Sequence, residues 1–468
     1  MKPLLNTTFL PADKSDWLAQ VQKELKDPSA SESLRWHTGE GFAAEPYYTA
    51  DDLTNELSGR LSPDVAQGTQ KHAPGWLNAP NYDLTDDTQA DNAILRDALT
   101  RGADALVLTL SGIEAGGAGV QQLSRLLNGI KLSDTPVFFR VDAADVATFV
   151  TALKTVAPYQ LKGGLLTDAG THTAEVTRLA ADSPQFRTVC ASSHVFHNAG
   201  ATATQELAFT LATLTDAYDL LTDAGLTIDQ LVPKTMLSVS IGTSYFMEIA
   251  KLRALRVLIS KFITHYSLTI TNSGSPDRSL FIHAQTSAFY DAATTPYTNL
   301  LRATTEAMAA VVGGCDVLTV RPYDAILGQP GEFSDRIARN VSILLKEESY
   351  LDKVADPSAG SYYIETLTRE LVESTWALFL DVEQRGGFAK AFAAGFITDE
   401  IERAYRAKVD AVEQGRLLVG VTKFRENGAS DATRRPARSL LDLTGLSDRP
   451  AARLTGFLPD RRLAEGFE

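Results

Sequence analysis

The stretch from residue 187 to residue 261 decides the fold of this chain. It begins with the apolar and small-residue run RTVCASSHVF at 187–196. After a long helical pattern it returns as LSVSIGTSYFMEIAKLRALRVLISK at 237–261. Two short strand-like runs therefore alternate with two helical patterns. This alternation is typical of parallel strands that are joined by crossover helices.

The same alternation extends outward along most of the chain. Strand-like runs are predicted at 105–110, 137–141, 164–166, 188–192, 236–241, 280–284, 317–320 and, as a shorter eighth candidate, 353–355. A helical pattern follows each run. Eight such units favour a closed (β/α)8 barrel, the TIM barrel, over an open doubly wound sheet. Functional side chains of such a barrel lie at the C-terminal ends of its strands.

The sequence on either side of the barrel is predicted to form two extensions. Residues 1–90 read as an N-terminal arm and irregular extension, residues 91–385 as the barrel, and residues 386–468 as a helical extension with a linker-like tail. Opposite charges interleave in the tail, which favours a solvated segment that wraps the body, or one that docks on a partner.

One amphipathic helix is predicted within the arm. Its narrow apolar stripe consists of Trp17, Leu18, Val21 and Leu25. A short helix ahead of a domain must bury such a stripe against the body of the chain or against a partner.

Composition and charge favour a soluble, cytoplasmic protein. The formal net charge is −14, which disfavours nucleic acid and anionic membrane as partners. No run of eighteen apolar residues and no signal peptide pattern occurs in the sequence. Cys190 and Cys315 lie in or beside apolar runs, so both are predicted to be buried free thiols.

Several predicted strands carry polar residues on one face. With a period of two, these groups share a face: Cys190, Ser192 and His194; Ser238 and Ser240; His283 and Gln285. Barrel interiors are usually filled by Val, Ile and Leu. The polar faces are compatible with a channel for an extended polar ligand along the axis, or with a tightly packed interior of small residues.

The histidines do not predict a metal site. His194 and His197 are three residues apart, but no nearby Cys or second His pair completes a ligand set. His283 at a strand end suits either a general acid or a structural histidine with satisfied hydrogen bonds. The loop at 356–361 has amides that suit a phosphate, although a helix-capping turn explains it as well.

At these residues the chain resembles the methylmalonyl-CoA mutase family. The similar segments, in the family's order, are AGATA at 199–203, FMEIAKLR at 246–253, HAQTS at 283–287, EAMAA at 306–310, RIARN at 336–340, DPSAGSY at 356–362 and GVTKF at 420–424. The resemblance implies a barrel that threads the pantetheine arm of a coenzyme A thioester along its axis. It also implies a separate C-terminal domain that binds cobalamin.

The departures from the family pattern concern its active site. Catalytic chains read Gly-Tyr-His-Met-Gln-Glu before the first similar segment, so His194 replaces the active-site Tyr and Val195 replaces the active-site His. Valine can neither donate a hydrogen bond nor transfer a proton. His283 and Gln285 are kept, whereas an Arg of that segment is lost. The segment at 76–82 also lacks the Arg with which catalytic chains help to bind coenzyme A.

The cobalamin signature of the family, Asp-x-His-x-x-Gly, is expected to be missing as well. The sequence has seven histidines, and none has an Asp two residues before it. The stretch after residue 425 is expected to be too short for a cobalamin-binding domain. The chain therefore resembles a small, non-catalytic mutase subunit in a short form without that domain.

This resemblance sets the expectations for sites and partners. His194, Val195, His283 and Gln285 would be vestigial pocket positions, and this chain would bind no cofactor. Adenosylcobalamin and the acyl-CoA thioester would be bound by a larger catalytic subunit in a heterodimer. Two alternatives stay open: a catalytic barrel that works with a separate cobalamin-binding chain, and a stand-alone acyl-CoA binding protein.

Overall fold

A computed structural model describes residues 13–26, 32, 34–52, 73–110, 116–266, 280–328, 330–425 and 458–468. The charge-rich parts of the predicted tail, at 433–439 and 447–454, lie outside the described residues.

The described chain alternates strands and helices. The strands are β1 (Trp36–His37), β2 (Ala43–Ala44), β3 (Leu77–Asn78), β4 (Asn81–Asp83), β5 (Leu106–Leu110), β6 (Val137–Val141), β7 (Gly163–Leu165), β8 (Phe186–Arg187), β9 (Val189–Ser192), β10 (Thr235–Ile241), β11 (Phe281–Thr286) and β12 (Val317–Thr319). The helices are α1 (Lys14–Leu25), α2 (Thr88–Thr100), α3 (Gly117–Leu126), α4 (Val146–Val156), α5 (Thr173–Leu179), α6 (His194–Ala199), α7 (Ala203–Asp223), α8 (Ile228–Leu231), α9 (Tyr245–Tyr266), α10 (Pro296–Val312), α11 (Glu332–Glu347), α12 (Tyr362–Gln384), α13 (Phe388–Ala393) and α14 (Phe396–Glu413). Short 3-10 helices occur at Val232–Lys234, Ala325–Leu327 and Leu463–Gly466.

Two five-stranded parallel sheets form the centre of the fold. Their strand orders are β3-β12-β11-β10-β9 and β4-β5-β6-β7-β8. The chain passes directly from one sheet to the other at two places. Two residues separate β3 from β4, and one residue separates β8 from β9. Strands β1 and β2 form a separate antiparallel pair. The prediction of a parallel α/β fold is therefore confirmed.

Seven of the predicted strands are confirmed to within two residues at each end, but the eighth is wrong. Residues 353–355 lie in a turn, where the Lys353 N–H donates to the Tyr350 carbonyl oxygen at 3.3 Å and Tyr350 has a φ of 55°. The strand beside β12 is β3 instead, and it falls within 1–90, the range predicted to be arm and irregular extension. Pro80 lacks a backbone N–H and separates β3 from β4, which made this stretch look irregular.

Helix α7 shows how the outer layer packs on the sheets. It begins with a capping box, in which the Thr202 side chain accepts from the Gln205 N–H while the Gln205 side chain accepts from the Thr202 N–H. Most of its residues are buried, and both α9 and α12 pack against it. At its far end the Tyr218 hydroxyl lies 2.7 Å from the Thr235 hydroxyl at the start of β10. This contact attaches the C-terminal part of α7 to the sheet.

The N-terminal arm contacts the body through its middle rather than through α1. Helix α1 has no fully buried residue, and Leu25 of the predicted stripe is 47% exposed. Its contacts include a 2.6 Å ion pair between Lys14 and Asp52. Further along the arm, the Glu40 carboxylate accepts from the N–H groups of Ala203 and Thr204, at 3.1 and 2.8 Å. Glu40 thus binds the N-terminus of α7.

The segment 458–468 contacts α6, which follows β9, and the turn that follows β11. The Arg461 N–H donates to the Asn198 carbonyl oxygen at 2.9 Å, and the Leu463 N–H donates to that of Phe289 at 2.8 Å. Leu463 is buried in a small apolar cluster together with Phe289. This segment is therefore packed on the C-terminal side of the strands.

Two further predictions can be compared with the fold. Cys190 and Cys315 are both buried thiols outside any disulfide, as predicted. Across the residues that the structure describes, no helix is both long and apolar enough to span a membrane.

Candidate functional site

The inner faces of the two sheets meet in an apolar cluster near the N-terminal ends of the strands. Its members are Leu77, Ala79, Ala105, Val107, Phe138, Leu166, Cys190, Met236, Phe281 and Val317. Side chains alternate along a strand, so residues two positions further on point to the same face. That rule brings polar residues inward above the cluster: Thr109, Arg140, Ser192, Ser238, Ser240, His283, Gln285 and Thr319. The interior is apolar at one end and polar at the C-terminal ends of the strands.

A chain of hydrogen bonds runs through the polar end, and its direction fixes the tautomer of His283. The Thr319 hydroxyl donates to the Ala79 carbonyl oxygen at 2.7 Å, so the Thr319 oxygen accepts from Nε2 of His283 at 2.9 Å. Nδ1 of His283 then accepts from the Ser238 hydroxyl at 2.8 Å. Burial lowers the pKa of His283 to about 3, so this ring is neutral near pH 7.

His194 extends this chain on the other side of Ser238. Because the Ser238 hydroxyl donates to His283, its oxygen accepts from Nε2 of His194 at 2.8 Å. Nδ1 of His194 accepts from the Ser240 hydroxyl at 2.6 Å. Burial, and after it the positive charge of Arg140, lowers the pKa of His194 well below its ordinary value. Both rings are therefore neutral, and all four of their nitrogens are in hydrogen bonds.

The structure brings His194, His283 and Gln285 together and turns Val195 away. His194 is the first residue of α6, so its prediction as a strand residue in line with Ser192 was wrong. The strand ends before it, yet its side chain returns to the inner face. Val195 is partly buried against the large apolar core that also contains α7. Successive helical residues differ by about 100° in direction, which separates these two side chains.

Sequence analysis did not single out two arginines at the same end of the strands. Arg140 lies on β6, and its Nη2 is 3.4 Å from Oε1 of Gln285. Arg321 lies two residues beyond β12, and its backbone N–H donates to the Thr286 hydroxyl at 2.8 Å. The available signal was the β6 sequence VFFRV, where one charge interrupts a buried apolar strand on its inward-facing side.

Asp168 lies deep between the strand ends and yet reaches solvent. Burial raises the pKa of Asp168 to about 7, while the Ser192 backbone N–H and Arg140 act against that rise. Asp168 is nevertheless an exposed residue, and Arg140, Ser192 and His194 are partly exposed. A residue that is surrounded by protein and still exposed lines an open cleft. We name this polar end of the strands the inner cleft.

A second, fully internal network lies behind His194. His197 contacts Glu206 through Nδ1 at 2.6 Å and Ser287 through Nε2 at 2.7 Å. Lys251 forms ion pairs with Glu206 at 3.1 Å and with Glu248 at 2.6 Å. Burial acts to raise the pKa of Glu206, but Lys251 and His197 outweigh it and hold the value at about 2. All five side chains are buried, so this network anchors α7 and α9 to the strand ends.

The histidines at the strand ends do not fit the role of a cobalt ligand. Such a histidine needs a free ring nitrogen, whereas His194, His197 and His283 each have both nitrogens in hydrogen bonds. Over the described part of the chain, no cluster of three or more His, Cys, Asp or Glu residues is arranged to hold a metal ion.

Comparison with known proteins agrees with the resemblance seen in the sequence. Residues 166–455 match the profile of the methylmalonyl-CoA mutase family. The methylmalonyl-CoA mutase small subunit of Porphyromonas gingivalis (strain W83) is 32% identical over 447 residues, which covers 90% of this chain and 71% of that protein. The methylmalonyl-CoA mutase small subunit of Streptomyces virginiae is 31% identical, and the match covers 86% of this chain and 67% of that protein.

A longer relative gives a similar identity. The methylmalonyl-CoA mutase of Rhizobium meliloti (strain 1021) is 32% identical, and the match covers 88% of this chain but 64% of that protein. This chain thus spans less than two thirds of that relative. Since the family profile covers more than half of the chain and these relatives cover most of it, the chain belongs to the methylmalonyl-CoA mutase family of isomerases.

Proposed function

We propose that this chain is the small subunit of a heterodimeric methylmalonyl-CoA mutase and that its own role is structural. The observation that carries this proposal is the state of positions 194 and 195. His194 uses both ring nitrogens within the interior, and Val195 is partly buried against the apolar core. No proton donor stands where catalytic chains of the family carry their histidine. The relatives named as small subunits support the same assignment.

The proposed partner is a larger mutase chain that binds adenosylcobalamin and the acyl-CoA thioester. Adenosylcobalamin would supply the radical chemistry for the interconversion of methylmalonyl-CoA and succinyl-CoA. The engaged histidines at the strand ends support the assignment of this cofactor to the partner. The net charge of −14 argues against nucleic acid and anionic membrane as partners and suits a cytoplasmic location.

For the architecture we propose that the two sheets are halves of one closed eight-stranded barrel. The strand pairings support closure, since Val317 pairs with Leu77 in one sheet and Asn81 pairs with Val107 in the other. The apolar cluster between the sheets draws on both of them. We also propose a three-part division into arm, barrel and C-terminal extension, with the barrel beginning at β3.

Reconstitution tests this function directly. The chain is purified alone and together with a longer mutase chain that carries Asp-x-His-x-x-Gly. Each sample is assayed for conversion of methylmalonyl-CoA and for bound cobalamin. We expect no turnover and no stoichiometric cobalamin from the chain alone, and a stable, active one-to-one complex from the pair.

Three outcomes would contradict the proposal. Stoichiometric cobalamin on the isolated chain would show that it binds the cofactor itself. Turnover when only a separate cobalamin-binding chain is added would show that this barrel is catalytic. Binding of an acyl-CoA by this chain without a complex with the longer chain would favour a stand-alone binding protein.

A further inference from the structure

We propose that the inner cleft of this chain binds a small oxyanion, a carboxylate or a phosphate, between the guanidinium groups of Arg140 and Arg321. This inference concerns the chain by itself and does not depend on the proposed mutase partner.

Arg140 enters the cleft without a carboxylate partner. It lies on the inward-facing side of β6, two residues beyond the buried Phe138. Its side-chain hydrogen bond is the 3.4 Å contact from Nη2 to Oε1 of Gln285, which is long for a charged donor. Among the described residues, no carboxylate forms an ion pair with Arg140. Most of its five donor hydrogens are therefore available to a ligand.

Arg321 is held in place by its backbone, and none of the described residues forms an ion pair with its side chain. Its N–H donates to the Thr286 hydroxyl at 2.8 Å, which fixes the chain just beyond β12. Its Nε is buried and has no hydrogen-bond acceptor among the described residues. The residue as a whole stays partly exposed, so solutes can approach the guanidinium. A buried donor without an acceptor is costly, which favours an acceptor supplied by a ligand.

The two positive charges act on one another across the cleft. Burial lowers the pKa of Arg140, and the charge of Arg321 is the next contribution in the same direction. Asp83 and Asp168 act against this shift from a distance, but neither forms an ion pair with Arg140 in the described structure. Burial raises the pKa of Asp168 to about 7, which weakens its share of the negative charge near neutral pH.

The acidic groups on the Arg321 side show the same pattern. Burial raises the pKa of Asp291 to about 7 and also raises that of Asp460, while Arg321 acts against both shifts. Neither carboxylate forms an ion pair with Arg321 within the described residues. As far as the described segments show, the cleft therefore has two guanidinium groups without a negative charge in contact, and a bound oxyanion would supply it.

The donor set selects the class of ligand. A guanidinium is a planar fork of N–H groups that matches the two oxygens of a carboxylate or phosphate. Gln285 accepts from Arg140 through Oε1, so its amide nitrogen is left as a further donor beside that fork. The site lies at the C-terminal ends of parallel strands, where folds of this class bind their ligands.

Isothermal titration of the full-length chain with sodium succinate and with sodium phosphate tests the site. Ionic strength is matched with sodium chloride, so that non-specific screening is the same in every sample. We expect saturable binding of at least one anion, and the tighter of the two identifies the carboxylate or the phosphate source. Arg140→Gln and Arg321→Gln should each weaken binding by about tenfold or more.

Two control variants and a fold check keep the test decisive. Arg403→Gln removes the same charge from the outer surface of α14 and should bind like the wild type. Arg321→Lys keeps the charge without the fork and should bind better than Arg321→Gln but worse than the wild type. Circular dichroism verifies that each variant is folded. If Arg140→Gln unfolds, the comparison of Arg321→Gln with Arg321→Lys tests the proposal. The proposal is overturned if neither anion binds, or if folded Arg321→Gln binds as tightly as the wild type.

Discussion

At the scale of single residues, position 195 tests whether restoring the missing histidine would be enough for activity. The side chain of Val195 lies against the apolar core, so the ring of a histidine at this position would not enter the polar interior. We expect Val195→His to show no turnover in the absence of a partner. We also expect it to lose about 1 kcal/mol of unfolding free energy, because a polar ring would be partly buried against apolar side chains.

Two measurements check that prediction. Thermal unfolding of the variant against the wild type gives the stability change, and Val195→Leu serves as an apolar control. Mutase assays of Val195→His with added adenosylcobalamin give the activity. Measurable turnover would mean that valine at position 195 accounts for the lack of activity and that the side chain at this position can reach the substrate.

His283 predicts how stability depends on pH. Burial holds its folded pKa near 3, below the ordinary 6.5. The unfolded chain therefore takes up a proton at His283 between these values while the folded chain does not, and stability falls as the solution is acidified through this window. For His283 we expect a loss of about 1.5 kcal/mol between pH 6.5 and about pH 5. His194 adds to it in the same direction.

Urea unfolding of the wild type and of His283→Gln at several pH values isolates this contribution. The variant should be less stable at neutral pH but should lose less stability on acidification. His37→Gln, at a histidine whose side chain is 72% exposed, is the matched control and should keep the wild-type slope. An identical slope in His283→Gln and the wild type would contradict the assigned neutral state.

Some residues of the inner cleft could be predicted from the sequence. The period-two rule places Ser238 and His283 correctly, because both lie within strands of five or more residues. It fails at His194, where the strand has already ended and a helix begins. Arg140 was visible as a charge inside an apolar strand, but only the three-dimensional structure shows that none of the described residues forms an ion pair with it.

At the scale of secondary structure, long regular patterns were predictable and short interrupted ones were not. β5, β6 and β10 have five or more residues with clear apolar content. β3 and β4 have two and three residues with Pro80 between them, so no local signal separates them from a loop. These residues form strands because they pair with β12 and β5. The local sequence carries no signal of such long-range pairing.

The arm contributes a helix cap that the sequence does not show. Glu40 lies far from Ala203 in sequence, yet its carboxylate accepts from the first amides of α7. A negative side chain at this position stabilises a helix by interacting with its free N–H groups and its dipole. We expect Glu40→Gln to lower the unfolding free energy by about 0.5–1 kcal/mol.

Guanidinium unfolding would mask part of this electrostatic effect, so urea is the suitable denaturant. Glu413→Gln, at the exposed end of α14, removes the same charge without touching a helix N-terminus and should not reproduce the loss. Equal stability of Glu40→Gln and the wild type would show that the arm is not fastened through this contact.

At the scale of the whole molecule, the two ends of the described chain differ in how they are attached. The segment 458–468 packs with buried Leu463 against Phe289. Helix α1 instead contacts other parts of the arm, where Trp17 lies 5.5 Å from Tyr47 between ring centroids. Tyr47 and Leu25 both remain more than 40% exposed. The apolar surface of the arm is therefore only partly covered by this chain.

That partly covered surface predicts what removal of residues 1–30 does. The remaining chain should stay folded, because α1 has no fully buried residue and the Lys14–Asp52 ion pair that the deletion removes joins two parts of the arm. Association with the larger mutase chain should weaken, since burying a large apolar side chain contributes roughly 1.5–3 kcal/mol as an upper range. Circular dichroism reports the fold, and analytical ultracentrifugation with the partner reports assembly. As a point variant, Leu25→Glu should weaken association in the same direction, whereas Leu220→Glu, at a similarly exposed leucine on α7, should not. If affinity is unchanged after both the deletion and Leu25→Glu, the arm does not bind the partner, and its apolar stripe serves this chain only.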